Sequence, residues 1–505
     1  MEVRTIEIMD TTLRDGEQTS GVSFPASEKL TLAKQLLEEL QVDRIEIASA
    51  RVSDGEFQAV KNITAWAATQ NRLEQVEILT FLDQGVSLEW MQAAGATVQN
   101  LLTKGSLNHL THQLKQSPAE HFEAIAKNLE AAQKSGITSN VYLEDWSNGM
   151  RNSPEYVFEY LDFLTTQPVK RILLPDTLGI LFPSEAKAYL NEIITRYPNH
   201  HFDFHGHNDY DLSVANAMAA LESGVHGLHL TVNGLGERAG NTPLASVIAV
   251  INDFLPEIKT NVVETSLYKV SKLVATFTGF RIPANKPIVG GNVFTQTAGI
   301  HADGDSKKNL YYNDLLPERF GRKRKYALGK TSGKSNIQKN LEELGISLSK
   351  EEVQKVTQRI IELGDKKERV TIEDLPYIIS DVLDSGQNLQ KVVVDSYVLT
   401  HAKGLQPTTT LSLRIDDKYY EAHASGDGQF DAFLNALRQV YAQKKISLPK
   451  LIDYAVHIPP GSSSDALCET TITWLLDNKE FTTRGLDSDQ TVSAIKATEK
   501  MLNII

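Results

Sequence analysis

Cysteine occurs once in 505 residues, at position 468. A single thiol excludes an internal disulfide and suits a reducing compartment, so a cytoplasmic location is expected. No apolar run approaches the ~18 residues a membrane span needs, and no membrane partner is expected. Basic residues are in deficit. The 51 Lys and Arg against 64 Asp and Glu leave a net charge of −13, which argues against a nucleic-acid partner. The start, Met1-Glu2-Val3-Arg4-Thr5-Ile6, carries an acid where a leader carries bases and has no apolar core. No signal peptide is expected there. No Gly-x-Gly-x-x-Gly turn follows the first strand-like run, which disfavours a doubly wound open sheet binding a dinucleotide.

What is present is a large apolar fraction, 41%, with 23% charged residues. That composition fits a globular chain, and the length fits two or three domains. Up to about residue 255, eight strand-like runs alternate with helical ones. They are Thr5–Thr12, Arg44–Ser49, Val76–Leu82, Val98–Thr103, Asn140–Asp145, Arg171–Thr177, Phe202–Asn208 and Leu228–Asn233. Amphipathic stretches lie between them: Glu28–Leu40 behind a serine cap at Ser27, Ala119–Ser135, Pro154–Thr165 and Ser184–Tyr197. Eight such repeats in about 250 residues predict an α/β fold, a (β/α)8 TIM barrel over residues 1–275. Residues 276–390 predict an irregular connector followed by short helices, of which Lys350–Leu363 is the most periodic. The basic run Arg319–Lys325 within it is expected to be a solvated face. Residues 391–505 turn β-rich, with strands expected at Val392–Leu399, Thr409–Ile415, Tyr419–Ala424, Leu451–His457 and Ala466–Leu476. Helices Phe430–Tyr441 and Thr491–Ile505 punctuate them. Gln429 and Ala436 recur at the offsets of Gln490 and Ala497, so this α+β domain is expected to have two similar halves. Its strands lack clustered catalytic groups, which points to regulation.

A barrel carries its chemistry at the C-terminal ends of its strands. Strand one runs into Arg14-Asp15-Gly16, strand five ends in Glu144-Asp145, strand six in Asp176-Thr177, and strand eight in Asn233-Gly234. Strand seven ends in His205-Gly206-His207. Residues i and i+2 of a strand share a side, so the two imidazoles emerge together. With Asp15 they make a two-His, one-carboxylate set that leaves open positions on a divalent metal, zinc or manganese. Such a metal polarises the ketone of a chelating 2-oxo acid. Arg14 can stabilise charge developing on a substrate oxygen. Thr177 can donate to a substrate carboxylate. Glu144 is a proton-transfer candidate, although spacing alone does not choose between it and Asp145.

Asp10-Thr11-Thr12-Leu13-Arg14-Asp15-Gly16-Glu17-Gln18, the His205-Gly206-His207-Asn208 pair, and Asn233-Gly234-Leu235-Gly236-Glu237-Arg238-Ala239-Gly240-Asn241 together resemble the DRE-TIM metallolyase superfamily. Within it they resemble the acyl-CoA-condensing synthases of 2-isopropylmalate, homocitrate and (R)-citramalate. The resemblance implies a Claisen condensation of acetyl-CoA with a metal-bound 2-oxo acid, followed by hydrolysis that releases CoA. It implies Asp15, His205 and His207 as metal ligands with Asn241 as accessory ligand, Arg14 on the keto oxygen, and Glu144 as acid/base. It adds His301, in a segment that the partner subunit supplies, and Tyr311 as catalytic residues, and so a homodimer. It assigns the C-terminal domain to amino-acid sensing. Leu79, Leu102 and Tyr142 are expected to line the oxo-acid pocket. Isopropylmalate synthases carry His-Thr-Phe on strand three and Ser-x-Glu-Asp-Ala on strand five, and this chain departs at both. The segment VYLEDWSNGM at 141–150 is most like citramalate synthases. Pyruvate is therefore the expected substrate and isoleucine the expected effector, with 2-oxoisovalerate and leucine as the alternative. The effector is expected at the helix start with Phe430 and Asp431, against Tyr454 and Ile458. A lyase of the hydroxymethylglutaryl-CoA type is disfavoured because Cys468 lies far outside the barrel, and a biotin-dependent carboxyltransferase because no Ala-Met-Lys-Met occurs. A non-catalytic amino-acid sensor is the distant alternative.

Overall fold

Strands with both faces buried arise where apolar residues alternate with a second, internally satisfied set. That pattern builds the N-terminal half of this chain. The computed structural model describes residues 3–305, 307, 310–365, 370, 372–383, 392–416, 418–458, 468–477 and 479–504. Its first strands are β1 (Glu7–Asp10), β2 (Arg44–Ser49), β3 (Val76–Phe81), β4 (Val98–Lys104), β5 (Thr138–Glu144), β6 (Arg171–Asp176), β7 (Phe202–Gly206) and β8 (Gly227–Leu230). They close in chain order into a barrel whose neighbours are all parallel; Ile8 pairs with Leu228 at the seam. Outward-facing Ile45, Ile47, Ile78, Leu101, Val141, Ile172, Leu174, Phe202 and Phe204 join the helices in one apolar core. Of the inward residues, Met9, Leu79, Tyr142 and Leu173 form a separate small cluster, with Phe81 and Leu102 against it. The remaining inward positions include buried Glu46, Glu77, Asn100, Asn140, Asp203, His205 and His229.

The helices form where the sequence expects them, with one correction at a start. The first runs Ala26–Lys34 and continues as a wider turn over Gln35–Glu39. Ser27 is not its cap. The Pro25 carbonyl accepts from the Glu28 and Lys29 N–H groups at 2.9 and 3.0 Å, so the helix opens before Ser27. By contrast, Ser117 does cap Pro118–Lys134, in a reciprocal box with Glu120.

Two compact units divide the chain: residues 1–294 with 312–324, and residues 295–311 with 325–505. The basic run Arg319–Lys325 is not simply solvated. Arg319 pairs with Asp253 and Glu264 at 2.5 and 2.7 Å, and Arg322 donates to the Ile288 carbonyl at 2.7 Å while covering Tyr268. Planar guanidinium groups find carboxylates, carbonyls and ring faces that a bare count of positive charge does not anticipate.

In the second unit, helices Lys334–Leu344, Lys350–Asp365 and Leu375–Leu383 share Ile337, Leu341, Val356, Ile360 and Leu375 as a core. Two antiparallel three-stranded sheets follow. One holds β9 (Val392–Thr400), β10 (Thr408–Ile415) and β11 (Lys418–Ser425), and the other β12 (Lys450–His457), β13 (Cys468–Leu476) and β14 (Lys479–Asp487). Each sheet is followed or crossed by one helix, Gln429–Gln443 and Gln490–Leu502, so both helices open on the repeated glutamine. The strand β14 is one more than the five β-segments the sequence suggested. Its residues, KEFTTRGLD, carry charge at Lys479, Glu480, Arg484 and Asp487, which masks the alternation. Phe433, Leu437 and Val440 meet Ile472, Trp474, Ile495 and Leu502 in a common core. Ile505 and the first two residues of the expected strand Ala466–Leu476 lie outside the described residues. No helix among the described residues is long and apolar enough to cross a membrane.

Candidate metal centre and active site

The mouth of the barrel is assembled first by the turn after β1. The Asp10 carboxylate accepts from the Thr12 N–H and hydroxyl at 2.9 and 3.0 Å, and the Thr12 hydroxyl accepts from the Val232 N–H at 2.8 Å. The chain coils so that Asp15 N–H reaches the Thr11 carbonyl at 2.9 Å, and Arg14 and Asp15 face the barrel axis. Arg14 Nε bonds Glu46 Oε2 at 2.5 Å, and its terminal nitrogen lies 2.9 Å from Asp15 Oδ2. Glu46 also accepts from the Thr11 hydroxyl and Asn100 Nδ2, each at 2.8 Å. Burial works against charge on Arg14, but Glu46 and Asp15 outweigh it and hold the guanidinium firmly protonated.

Asp15, His205 and His207 converge with their ligand atoms all within 4.8 Å of one another, and all three are buried. The two imidazole centroids are 5.1 Å apart. Asn241 Nδ2 donates to Asp15 Oδ1 at 3.0 Å. Glycine at 240 lets the loop close over the site: its φ is +89°, and a Cβ would sit 2.0 Å from the Gly234 carbonyl oxygen. Burial pushes the pKa of both His205 and His207 down, which keeps them in the neutral, ligating form. Burial alone would raise Asp15, yet the Arg14 guanidinium, helped by the Asn241 hydrogen bond, holds it well below the usual carboxylate range. Among the described residues, His205 Nδ1, His207 Nδ1 and Asn241 Oδ1 are buried with no hydrogen-bond partner. Buried polar atoms are rarely left unpaired. His205 turns Nε2 toward Asp15, 3.5 Å from Oδ2. Two neutral imidazoles and an ionised carboxylate drawn this close, with the unpaired Asn241 Oδ1 beside them, fit a divalent cation.

Around this cluster stand the other candidates. Glu144, at the end of β5, contacts Lys104 Nζ. Asp145 is otherwise engaged: its oxygens accept from the Ser106 hydroxyl at 2.7 Å and Asn148 Nδ2 at 2.8 Å. The Thr177 hydroxyl accepts from the Asp145 N–H at 2.9 Å, which leaves its own proton available. Tyr142 stands edge-on to His205 at 6.2 Å, with the Arg14 guanidinium 5.9 Å from its ring centre. Leu79 and Leu102 join it in the inner cluster. His301 and Tyr311 belong to the second unit, where their rings lie 4.3 Å apart. In the C-terminal sheets, the Phe430 ring lies 5.4 Å from Tyr454, and Asp431 Oδ2 accepts from the Asp427 N–H at 3.0 Å. Ile458 is exposed just past the end of β12. Sequence reasoning missed Glu46, which anchors Arg14, and the buried Asp203 and His229. The signal was available: each is a polar residue at the inward parity of an otherwise apolar strand.

Fold and site define the class, a (β/α)8 barrel with a candidate metal centre at its C-terminal mouth. Family models match consecutive parts of the chain: HMGL-like over residues 5–274, homocitrate synthase post-HMGL domain-like over 288–368, and LeuA allosteric (dimerisation) domain over 369–505. A probable 2-isopropylmalate synthase of Methanopyrus kandleri is 33% identical, with 99% of this chain and 98% of the relative covered. A putative (R)-citramalate synthase of the same organism is 32% identical, with 92% and 89% covered. A 2-isopropylmalate synthase of Methanocaldococcus jannaschii is 32% identical, with 99% and 94% covered. The chain belongs to the HMGL-like family and, within it, to the DRE-TIM acyl-CoA synthases, which are acyltransferases.

Proposed function

We propose that this chain condenses acetyl-CoA with pyruvate to give (R)-citramalate and CoA, as a feedback-regulated step of isoleucine biosynthesis. The observation that carries the choice of substrate is Tyr142. Its ring, 3% exposed, stands against His205 beside Leu79 and fills the space a branched alkyl group would need. The relatives do not choose, because synthases of both names match almost equally, at 33% and 32% identity.

Asp15, His205 and His207, with Asn241, would hold the divalent metal. When bound, it supplies Lewis acidity toward the ketone. Arg14, fixed by Glu46, stabilises the negative charge that develops on the former keto oxygen. Thr177 donates its free hydroxyl proton to the substrate carboxylate. Glu144 takes up the proton lost from the acetyl methyl group, and the enolate carbon then forms the new bond to the keto carbon. Water cleaves the thioester and releases CoA as its thiol. A homodimer in which the partner supplies the segment with His301, Tyr311 being a further catalytic residue, fits the dimerisation-domain match. The same match supports allosteric control, with isoleucine at Phe430, Asp431, Tyr454 and Ile458.

The test is thiol release from acetyl-CoA with pyruvate, 2-oxoisovalerate and 2-oxoglutarate in parallel. Pyruvate should give the highest kcat/KM. A preference for 2-oxoisovalerate overturns the substrate and makes the chain a 2-isopropylmalate synthase under leucine control. No thiol release with any oxo acid leaves the non-catalytic sensor.

A further inference from the structure

Tyr142, beside His205 and Arg14, is the end member of a hydrogen-bonded line that crosses the barrel interior. Its hydroxyl lies 2.9 Å from His229 Nδ1 on β8. His229 Nε2 lies 3.0 Å from Asp203 Oδ2 on β7. Asp203 pairs with Arg44 on β2, and Arg44 pairs with Glu77 on β3 at 3.0 Å. His201 closes the other side of Asp203 at 2.8 Å. His229, Asp203 and Glu77 are at most 1% exposed, and none of them reaches the open mouth.

With His229 as a neutral imidazole, the partners fix the direction of each bond. Asp203 faces a guanidinium and so acts as an ionised acceptor; the His229 Nε2 therefore carries the proton. Nδ1 is then the bare nitrogen, and the phenol donates to it. Tyr142 consequently turns no donor toward the oxo acid. It presents ring edge and face, a surface for an alkyl group. A buried phenol without this acceptor would be left unpaired, at a cost that would favour another orientation. The His229 ring also packs edge-on against Tyr142 at 5.5 Å and His205 at 5.7 Å.

We propose that His229, oriented by Asp203, is a positioning residue that pins Tyr142 and so sets the upper size of the 2-oxo acid's alkyl group. The proposal rests on the reading of Tyr142 as the pocket wall. The acetyl-CoA condensation does not pass through His229, which acts only by holding the tyrosine.

The experiment measures kcat/KM for pyruvate and 2-oxobutyrate, one methylene larger, in the metal-loaded full chain. The variants are Tyr142→Phe, His229→Phe, the double variant, and His229→Asn, whose amide keeps an acceptor near the Nδ1 position. Each single Phe variant should narrow the preference for pyruvate roughly three- to tenfold, within the range a methylene is worth. The double variant should narrow it no further than the larger single effect, because both remove one bond. His229→Asn should stay within about twofold of wild type. Effects that multiply in the double variant overturn the proposal. So does a His229→Phe that lowers kcat for both substrates with the ratio unchanged, which is what a purely structural core histidine would give. Should His229→Phe fail to fold, an unchanged ratio in Tyr142→Phe overturns it equally. Wild-type preference for 2-oxoisovalerate would sink the substrate assignment separately, since the coupling is read as a change in ratio.

Discussion

Lys29 offers a test of how the barrel holds its reactive turn. The side chain is fully buried, and its ammonium donates to the carbonyls of Leu13 and Ile47 at 3.0 and 3.1 Å. It also pairs with Glu17 and Glu56 at 2.6 and 2.5 Å. Leu13 immediately precedes Arg14, and Ile47 follows Glu46, so one ammonium ties the two segments that place the arginine. Lys29→Met keeps the length and removes the charge. Breaking a buried pair from one side costs about 3–5 kcal/mol. The Glu17 and Glu56 side chains keep 21% and 13% exposure, so water recovers part of that, and a loss of about 3 kcal/mol is expected. Burial already pushes the Glu56 carboxyl up despite Lys29. Without the lysine it should take a proton readily, and the deficit should be larger at pH 8 than at pH 5. Chemical unfolding followed by tryptophan fluorescence reads the loss, since Trp66, Trp90 and Trp146 all lie in the barrel unit. Metal affinity should fall about tenfold, as when support behind a ligand is removed. Lys29→Met with Glu56→Leu should regain part of the stability, because it replaces the pair with apolar contact. A stability loss under ~1 kcal/mol, with metal affinity unchanged, would refute the reasoning.

His207→Ala should abolish bound metal and turnover while circular dichroism stays native; full activity in the metal-free variant would sink the site. His121 accepts from the Lys104 N–H at 3.2 Å, and burial, aided by the Lys104 charge, lowers its pKa from 6.5 to about 4. The unfolded chain therefore binds more protons between those values, so stability should fall by up to ~3 kcal/mol as pH drops from 6.5 to 4. His121→Gln should flatten that window in pH-dependent unfolding; an unchanged slope counts against the assignment. Leu79→Ala should raise kcat/KM for 2-oxoisovalerate relative to pyruvate, partially, since such a contact is worth ~1–3 kcal/mol. Isoleucine should inhibit the full chain and leucine should not, and Phe430→Ala should weaken the inhibition; an enzyme that neither amino acid inhibits ends the sensor reading of the C-terminal sheets.

The barrel was legible because periodicity carries it. Every strand from Arg44–Ser49 to Phe202–Gly206 lies within two residues of the apolar run that announced it, Gly227–Leu230 ends three residues before the expected Asn233, and a one-residue slip of a strand would turn its apolar face the wrong way. Boundaries set by backbone geometry were less legible: Pro25 rather than Ser27 opens the first helix, because a carbonyl can start a helix without a side-chain cap. The strand Lys479–Asp487 was hidden by charges on both of its faces, Lys479 and Asp487 on one and Glu480 and Arg484 on the other, and only its likeness to Lys418–Ser425 hinted at it.

By itself, the sequence determined which chemistry is available: His205 and His207 two residues apart at a strand end, Asp15 after β1, and the alternation that makes eight parallel strands. These are local facts, fixed by a side-chain period of two and by motif spacing. Only the tertiary structure decided what those groups face. It set Glu46 behind Arg14 across 32 positions and Asn241 against Asp15 across 226. It also separated Glu144, beside Lys104, from its neighbour Asp145, which ties loops together. Closure of the barrel brings the inward residues of distant strands to one axis, and no spacing along the chain encodes which of them meet.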